Sequence, residues 1–122
     1  MSPARKLAHL IVAITALAIT APLFAADNVL RVYIARHGIT DWNVALRVQG
    51  STDNSLNETG RKQAAALVER MQGVQLDHIY TAGLQRTRQT AEGFTSVKQT
   101  AIPGLNERNH GKFEGIVDDP KN

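Results

Sequence analysis

The feature that most constrains this chain is a run of β-branched and apolar residues, Val29 to Ala35, that ends directly on the polar triplet Arg36-His37-Gly38. Its only charge is Arg31, and so apolar a run reads as a strand covered on both faces, the pattern of a parallel sheet with helices on each side. Polar residues at the carboxyl end of such a strand lie at the edge where open α/β sheets hold ligands. Gly38 then permits a sharp turn.

The elements that follow fit that reading. Residues 41 to 48 predict a short helix, followed by a loop rich in Gly, Ser, Thr, Asp and Asn from Gly50 to Ser55. Asn57 is a good N-cap, and Ala64, Leu67, Val68 and Met71 recur at i, i+3, i+4 and i+7, so a helix is expected to about Gln72, stopped by Gly73. A short strand at His78 to Thr81 and a helix from about Leu84 to Phe94, with Arg86 and Arg88 in its first turns, complete the alternation. Strand, helix, strand, helix in one short stretch argues for a parallel sheet with right-handed crossovers.

Ahead of this stretch, Arg5 and Lys6 precede an apolar run from Leu10 to Ala21, then Pro22 and small residues at Ala25-Ala26. That order predicts a secretory signal peptide over residues 1–25, cleaved after Ala25, because an uninterrupted membrane span needs about 20 apolar residues. The expected location is periplasmic or secreted, with no stable membrane association after cleavage. Without Arg5 and Lys6 the 14 cations fall to 12 against 11 acids, leaving about +1. So small a charge, with few aromatics, argues against a nucleic-acid binder. The absence of cysteine excludes disulfides and thiolate chemistry.

Five blocks resemble the histidine phosphatase, or phosphoglycerate mutase-like, superfamily. In order they are Arg36-His37-Gly38 with Thr40, Trp42 and Asn43; Arg47, Gln49 and Gly50; Asp53, Leu56 and Gly60; Tyr80-Thr81-Ala82 with Leu84, Arg86, Thr90 and Ala91; and Leu105-Asn106-Glu107-Arg108 with Gly111, Glu114 and Gly115. The resemblance implies an α/β three-layer sandwich with a mostly parallel sheet, C-terminally incomplete, in which residues 29–122 form the N-terminal portion of the domain. It implies His37 as nucleophile, Glu107 as acid/base, Asn43 in contact with the phosphoryl group, and Gln49 and Gly50 facing the substrate. It also implies a second histidine late in the domain, in a region this sequence does not reach; neither His78 nor His110 matches that motif.

Elementary chemistry supports the same residues. Neutral imidazole is a competent nucleophile near physiological pH, so His37 can attack phosphorus without a metal or other cofactor. Phosphoryl transfer asks mainly for positioning and for charge stabilisation on the transferring oxygens. Arg36 and Arg86 supply two permanently charged donor forks, and Arg86, in the first turn of its helix, would bring backbone N–H groups towards an anion. Glu107 would protonate the leaving alkoxide and later deprotonate the water that releases phosphohistidine. Arg61, Lys62, Arg70 and Arg88 read as solvated helix-face charges, His78 and His110 as surface or turn residues, and Trp42 as packed against a loop. Gly83 stands where the family carries a capping side chain.

The expected activity is a metal-independent phosphomonoester hydrolase acting on a small phosphorylated substrate. The alternatives are a phosphoglycerate mutase-type phosphotransferase, and a truncated, inactive relic that binds phosphate. Hydrolysis is preferred over mutase chemistry because glycolytic intermediates are cytoplasmic, whereas an exported phosphatase scavenges phosphate.

Overall fold

The computed structural model describes residues 29–118, so the expected signal peptide and the last four residues lie outside the described part. The chain divides into two units, Met1–Tyr33 and Ile34–Asn122, each described by itself. Of the first, Val29 to Tyr33 are described: they have no regular secondary structure and are solvent-exposed. The strand expected over Val29 to Ala35 is therefore not formed among the described residues, and Ile34, at the start of the second unit, is 93% exposed. A strand exists only as part of a hydrogen-bonded ladder. Apolar composition encodes the demand for cover but does not name the neighbour.

The second unit begins with α1 (Asp41–Val44), shorter than the expected 41–48 helix. Thr40 and Asn43 close a capping box at its start, which fixes where the helix begins. It ends early because Leu46 takes a left-handed backbone, φ 52°, and the chain turns into an antiparallel pairing of Arg47 with Val117. Val48 N–H donates to the Ile116 carbonyl at 3.0 Å and Gly115 N–H to the Val48 carbonyl at 2.8 Å, closing that pairing.

Helix α2 (Glu58–Arg70) starts where expected, with the Asn57 side chain accepting from Gly60 N–H at 2.9 Å. Of its apolar stripe, Ala64 is buried while Leu67, Val68 and Met71 are half-buried. Its outer face carries the Lys62–Glu58 pair, a solvated contact one turn apart. A β-α-β unit follows: β1 (Ile79–Thr81), α3 (Gln85–Ala91) and β2 (Gln99–Ala101). The two strands pair in parallel, with Ile79 opposite Gln99, Tyr80 opposite Thr100 and Thr81 opposite Ala101. This confirms the α/β class and the parallel crossover. β2 was not expected from the sequence. Two 3-10 turns, Pro103–Leu105 and Gly111–Phe113, complete the described chain.

The core among the described residues is small and half polar. Leu56, Ala64, Leu84 and Ala91 are its buried apolar members, and Thr40, Arg86 and Thr90 are buried beside them. Buried polar side chains persist only when hydrogen-bonded, so those three define how the surrounding turns are joined.

Candidate active site

The triplet sits on a turn pressed against the start of α2. A Cβ on Gly38 would lie 2.5 Å from the Gly60 carbonyl oxygen, and one on Gly60 would lie 2.1 Å from that of Ile39. Only two glycines allow backbones to approach so closely. The turn is then held by hydrogen bonds from three directions. Gly38 N–H donates to Thr90 Oγ1 at 3.0 Å, Ile39 N–H donates to Gln63 Oε1 at 2.9 Å, and the Ile39 carbonyl accepts from Asn57 N–H at 3.0 Å.

This backbone sets the chemistry of His37. Its Nδ1 lies 2.8 Å from the Gly38 carbonyl oxygen, which can only accept, so Nδ1 carries the proton. In the neutral ring the lone pair is then on Nε2. The His37 pKa lies below its ordinary value, first because burial disfavours the charged ring and then because Arg86 and Arg36 repel it; the Gly38 bond and Glu107 oppose this without reversing it. The neutral, nucleophilic form is thus favoured at physiological pH. Arg36, Arg86 and Glu107 thus each lie within Coulombic reach of His37.

Arg86 is 2% exposed. Its Nη1 donates to the Thr52 carbonyl and its Nη2 to the Gly50 carbonyl, both at 2.7 Å. Nε is the one buried side-chain polar atom without a partner among the described residues. Burial lowers the Arg86 pKa, opposed by Asp53, Glu107 and Glu114. Of the backbone N–H groups expected to turn towards an anion at the α3 N-terminus, that of Gln85 is taken by Asp53 Oδ1 at 2.6 Å. Leu84, at the cap position, has no capping bond of its own, so an aspartate from a distant loop does what Gly83 cannot. Gly83 N–H is in turn held by Asn106 Oδ1 at 2.6 Å, which ties the Glu107 segment to the start of α3.

The residues expected to face substrate cluster around buried Thr40. Asn43 Oδ1 accepts from Thr40 N–H at 3.0 Å, and Gln49 Oε1 lies 2.8 Å from Thr40 Oγ1. The carbonyl end of each amide is therefore fixed. The NH2 end of Asn43 has no partner among the described residues, whereas that of Gln49 is likewise left to donate while its Oε1 also accepts from Asn54 at 3.3 Å. Gly50 takes a left-handed φ of 54°, and a Cβ there would meet Glu114 Oε1 at 2.3 Å. Its role is to turn the loop so that its carbonyl reaches Arg86.

Glu107 is exposed, and its Oε1 accepts from the N–H of its neighbour Arg108 at 2.9 Å. Glu114 anchors this segment, accepting from Ser51 N–H at 2.8 Å, Ser51 Oγ at 3.0 Å, His110 N–H at 3.0 Å and the Thr52 hydroxyl. These bonds, led by that from Thr52, hold its carboxyl down at about 2. Trp42 packs over Gly115, as expected of a loop contact. His78 stacks on Tyr80 with ring centroids 4.3 Å apart, away from the triplet's bonds.

Sequence reasoning did not single out Gln63, Asp53 or Glu114 for these contacts. Thr40 carried a signal in its three-residue spacing from Asn43, and Thr90 in lying one helical turn beyond Arg86. Asp53 stood out only through the family resemblance and Gln63 not at all, because their partners are distant in sequence. A cavity of about 300 Å³ beside the triplet is lined by Arg36, His37, Gly38, Gln63, Leu67 and Thr90. Its walls are the groups that hold the turn. Among the described residues no three His, Asp or Glu side chains gather closely enough to hold a metal ion.

Comparison with known proteins identifies the family. The histidine phosphatase superfamily (branch 1) matches residues 32–121. A probable phosphoglycerate mutase GpmB of Photorhabdus laumondii is 42% identical over 88 residues, covering 70% of this chain and 41% of that protein. A mycobacterial glucosyl-3-phosphoglycerate phosphatase solved with VO3 is 35% identical with a TM-score of 0.65, covering 68% of this chain and 41% of its own. A phosphoserine phosphatase of Entamoeba histolytica, solved with 3-phosphoglyceric acid, is 34% identical with a TM-score of 0.61, covering 66% and 41%. The chain thus spans about two fifths of the length of each of these relatives.

Proposed function

The chain belongs to the histidine phosphatase superfamily, branch 1, and from that premise we propose that it carries the nucleophilic part of a phosphomonoester hydrolase working through phosphohistidine at His37. The observation that carries this reading is the 2.8 Å bond from His37 Nδ1 to the Gly38 carbonyl, which leaves Nε2 unprotonated. The Nε2 lone pair attacks the ester phosphorus, and a P–N bond forms as the bond to the ester oxygen breaks. Glu107 gives its proton to the departing alkoxide, then takes one from water. That water oxygen attacks the phosphohistidine, releasing inorganic phosphate and restoring His37 and the protonated Glu107.

Arg36 and Arg86 offset the charge on the transferring oxygens, and the unpartnered Nε of Arg86 is a donor suited to one of them. Asn43 and Gln49 present amide NH2 groups to the same phosphoryl group, with Gly50 shaping the loop beside them. The substrate class is a small phosphomonoester. Incubating the full chain with a labelled aryl phosphate tests the reading: an acid-labile, base-stable phosphoenzyme is expected, absent in His37→Ala. Equal labelling of His37→Ala would sink it.

A phosphomutase is the second reading, favoured by the mutase name of the Photorhabdus relative. With 3-phosphoglycerate, inorganic phosphate as product supports hydrolysis, and an isomeric phosphoglycerate supports the mutase. The apolar segment from Leu10 to Ala21 supports export. Cell fractionation, with amino-terminal sequencing of the exported form, tests it: a chain starting at Ala26 is expected.

A further inference from the structure

Gly38 is gripped at both of its flanking peptides. The peptide on its amino side offers its N–H to Thr90 Oγ1 at 3.0 Å, and that bond is buried. The same hydroxyl donates to the Arg86 carbonyl at 2.7 Å. A hydroxyl has one proton and two lone pairs, so it serves both contacts at once. The peptide on the carboxyl side is bonded at both ends: its N–H, from Ile39, goes to Gln63 Oε1 at 2.9 Å, and its carbonyl, from Gly38, receives His37 Nδ1–H at 2.8 Å.

A peptide is planar and trans, so its N–H and C=O point in opposite directions. Fixing the N–H of Ile39 therefore aims the carbonyl of Gly38. A carbonyl whose own N–H is already donating is also a stronger acceptor, because bonds in a chain polarise one another. Gly38 has no Cβ to limit its φ and ψ, so the local sequence does not restrain these two peptides. The restraint comes from α2 through Gln63 and from α3 through Thr90.

We propose that Gln63 and Thr90 are positioning residues that set the tautomer and aim of the His37 nucleophile, Gln63 by orienting the carbonyl that holds Nδ1–H, and Thr90 by fixing the preceding peptide to the backbone of Arg86. The proposal rests on His37 being the nucleophile of the proposed hydrolase for its kinetic consequence, but not for its structural one. Without the grip, the ring gains access to the Nε2–H tautomer, whose lone pair faces away from substrate. Thr90 also carries the registry between nucleophile and charge-stabilising arginine, since one hydroxyl joins Gly38 N–H, next to His37, to the Arg86 carbonyl. The two acceptors differ in environment. Thr90 is buried, so its removal orphans Gly38 N–H, whereas water can replace part of the exposed Gln63 bond.

The test uses the full chain with Thr90→Val, Thr90→Ser and Gln63→Met. Nitrogen-15 NMR of His37 without substrate reports the tautomer, and rapid-quench labelling at saturating aryl phosphate reports the rate of His37 phosphorylation. Thr90→Val is expected to slow phosphorylation about tenfold and Gln63→Met about threefold, with KM within about twofold of the parent. Both variants are expected to show a mixed tautomer signal. Thr90→Ser, which keeps the hydroxyl, is expected to restore most of the rate and the single Nδ1–H signal. Gln63 is at the surface, so its variant reads the effect without the folding burden of a core change. A single Nδ1–H tautomer with parent-like phosphorylation in both Thr90→Val and Gln63→Met overturns the proposal. If the parent chain forms no phosphohistidine, the functional reading fails, while the tautomer signals still decide this inference.

Discussion

Around His37, Gly38 is buried against Gly60 and the peptides on either side of it are taken by side chains from two helices. Around Glu107, every residue from Ala101 to Asn109 is exposed, and the segment is tethered at a few points. Ile102 N–H joins it to the Thr81 carbonyl at 2.8 Å, Asn106 to Gly83 at 2.6 Å, and Glu114 holds His110 beyond it. The contrast matches the two tasks proposed for these residues. An attacking lone pair must be aimed within a narrow cone, so the backbone that aims it is over-determined. A proton donor needs reach and access to water, which a glutamate on an exposed segment has.

His37→Ala should lower phosphoenzyme formation at least about 10³-fold, the largest loss, measured by acid-labile labelling. Retention of labelling would exclude His37 as the nucleophile. Arg86→Ala should cost about 10²- to 10³-fold in the same assay. Because it also leaves the Gly50 and Thr52 carbonyls unpaired, thermal unfolding should show a loss of about 1–3 kcal/mol.

Glu107→Gln sharpens the contrast differently. It should lower turnover of an alkyl phosphate about 10²-fold, yet affect a nitrophenyl phosphate far less, since a stabilised phenolate leaves without a proton. Equal losses on both substrates would mean that Glu107 serves placement rather than proton transfer. Unfolding should be almost unchanged, because the side chain is exposed.

The pH dependence probes the His37 turn again. Its pKa is depressed, so between that folded value and the ordinary 6.5 the unfolded chain binds more protons than the folded one. Stability therefore rises with pH through that window: the contribution is fully present above 6.5 and is lost as pH falls through the depressed value. Phosphorylation should hold constant down to 6.5 and decline only below it, whereas a profile already falling above 6.5 contradicts the half-buried, neutral ring. The smallest effect is expected from Asp53→Ala, which removes the distant cap of α3 and should cost about 1 kcal/mol in chemical unfolding.

Much of the fold was legible because its signals are local. Asn57 caps α2 as its type and position predicted, and the spacing of Ala64, Leu67 and Val68 named the inward face. β1 and α3 lie within the expected segments, a residue or more shorter at their ends. β2 was missed because its three residues, Gln99, Thr100 and Ala101, are all exposed and bear no alternating pattern; what makes them a strand is the parallel partner. The expected strand from Val29 to Ala35 failed in the opposite sense, with strong composition and no ladder among the described residues. Within the site, Arg36, His37, Arg86 and Glu107 were legible as chemical types in a familiar order, and the other three all act on the titration of His37.

By itself, the sequence determined which groups can do chemistry: an imidazole after an apolar run, two guanidiniums, a carboxylate, and the glycines that permit close turns. Side-chain chemistry and local periodicity are properties of neighbours in the chain, so they can be read there. Only the tertiary structure decided that Arg86 is buried against the Gly50 and Thr52 carbonyls, that Asp53 caps a helix more than thirty residues away, and that Gln63 and Thr90 meet across Gly38. Those contacts join residues 24 to 52 positions apart. A hydrogen bond of that span has no local signature, because its geometry is created by packing α2 and α3 against the turn that carries His37.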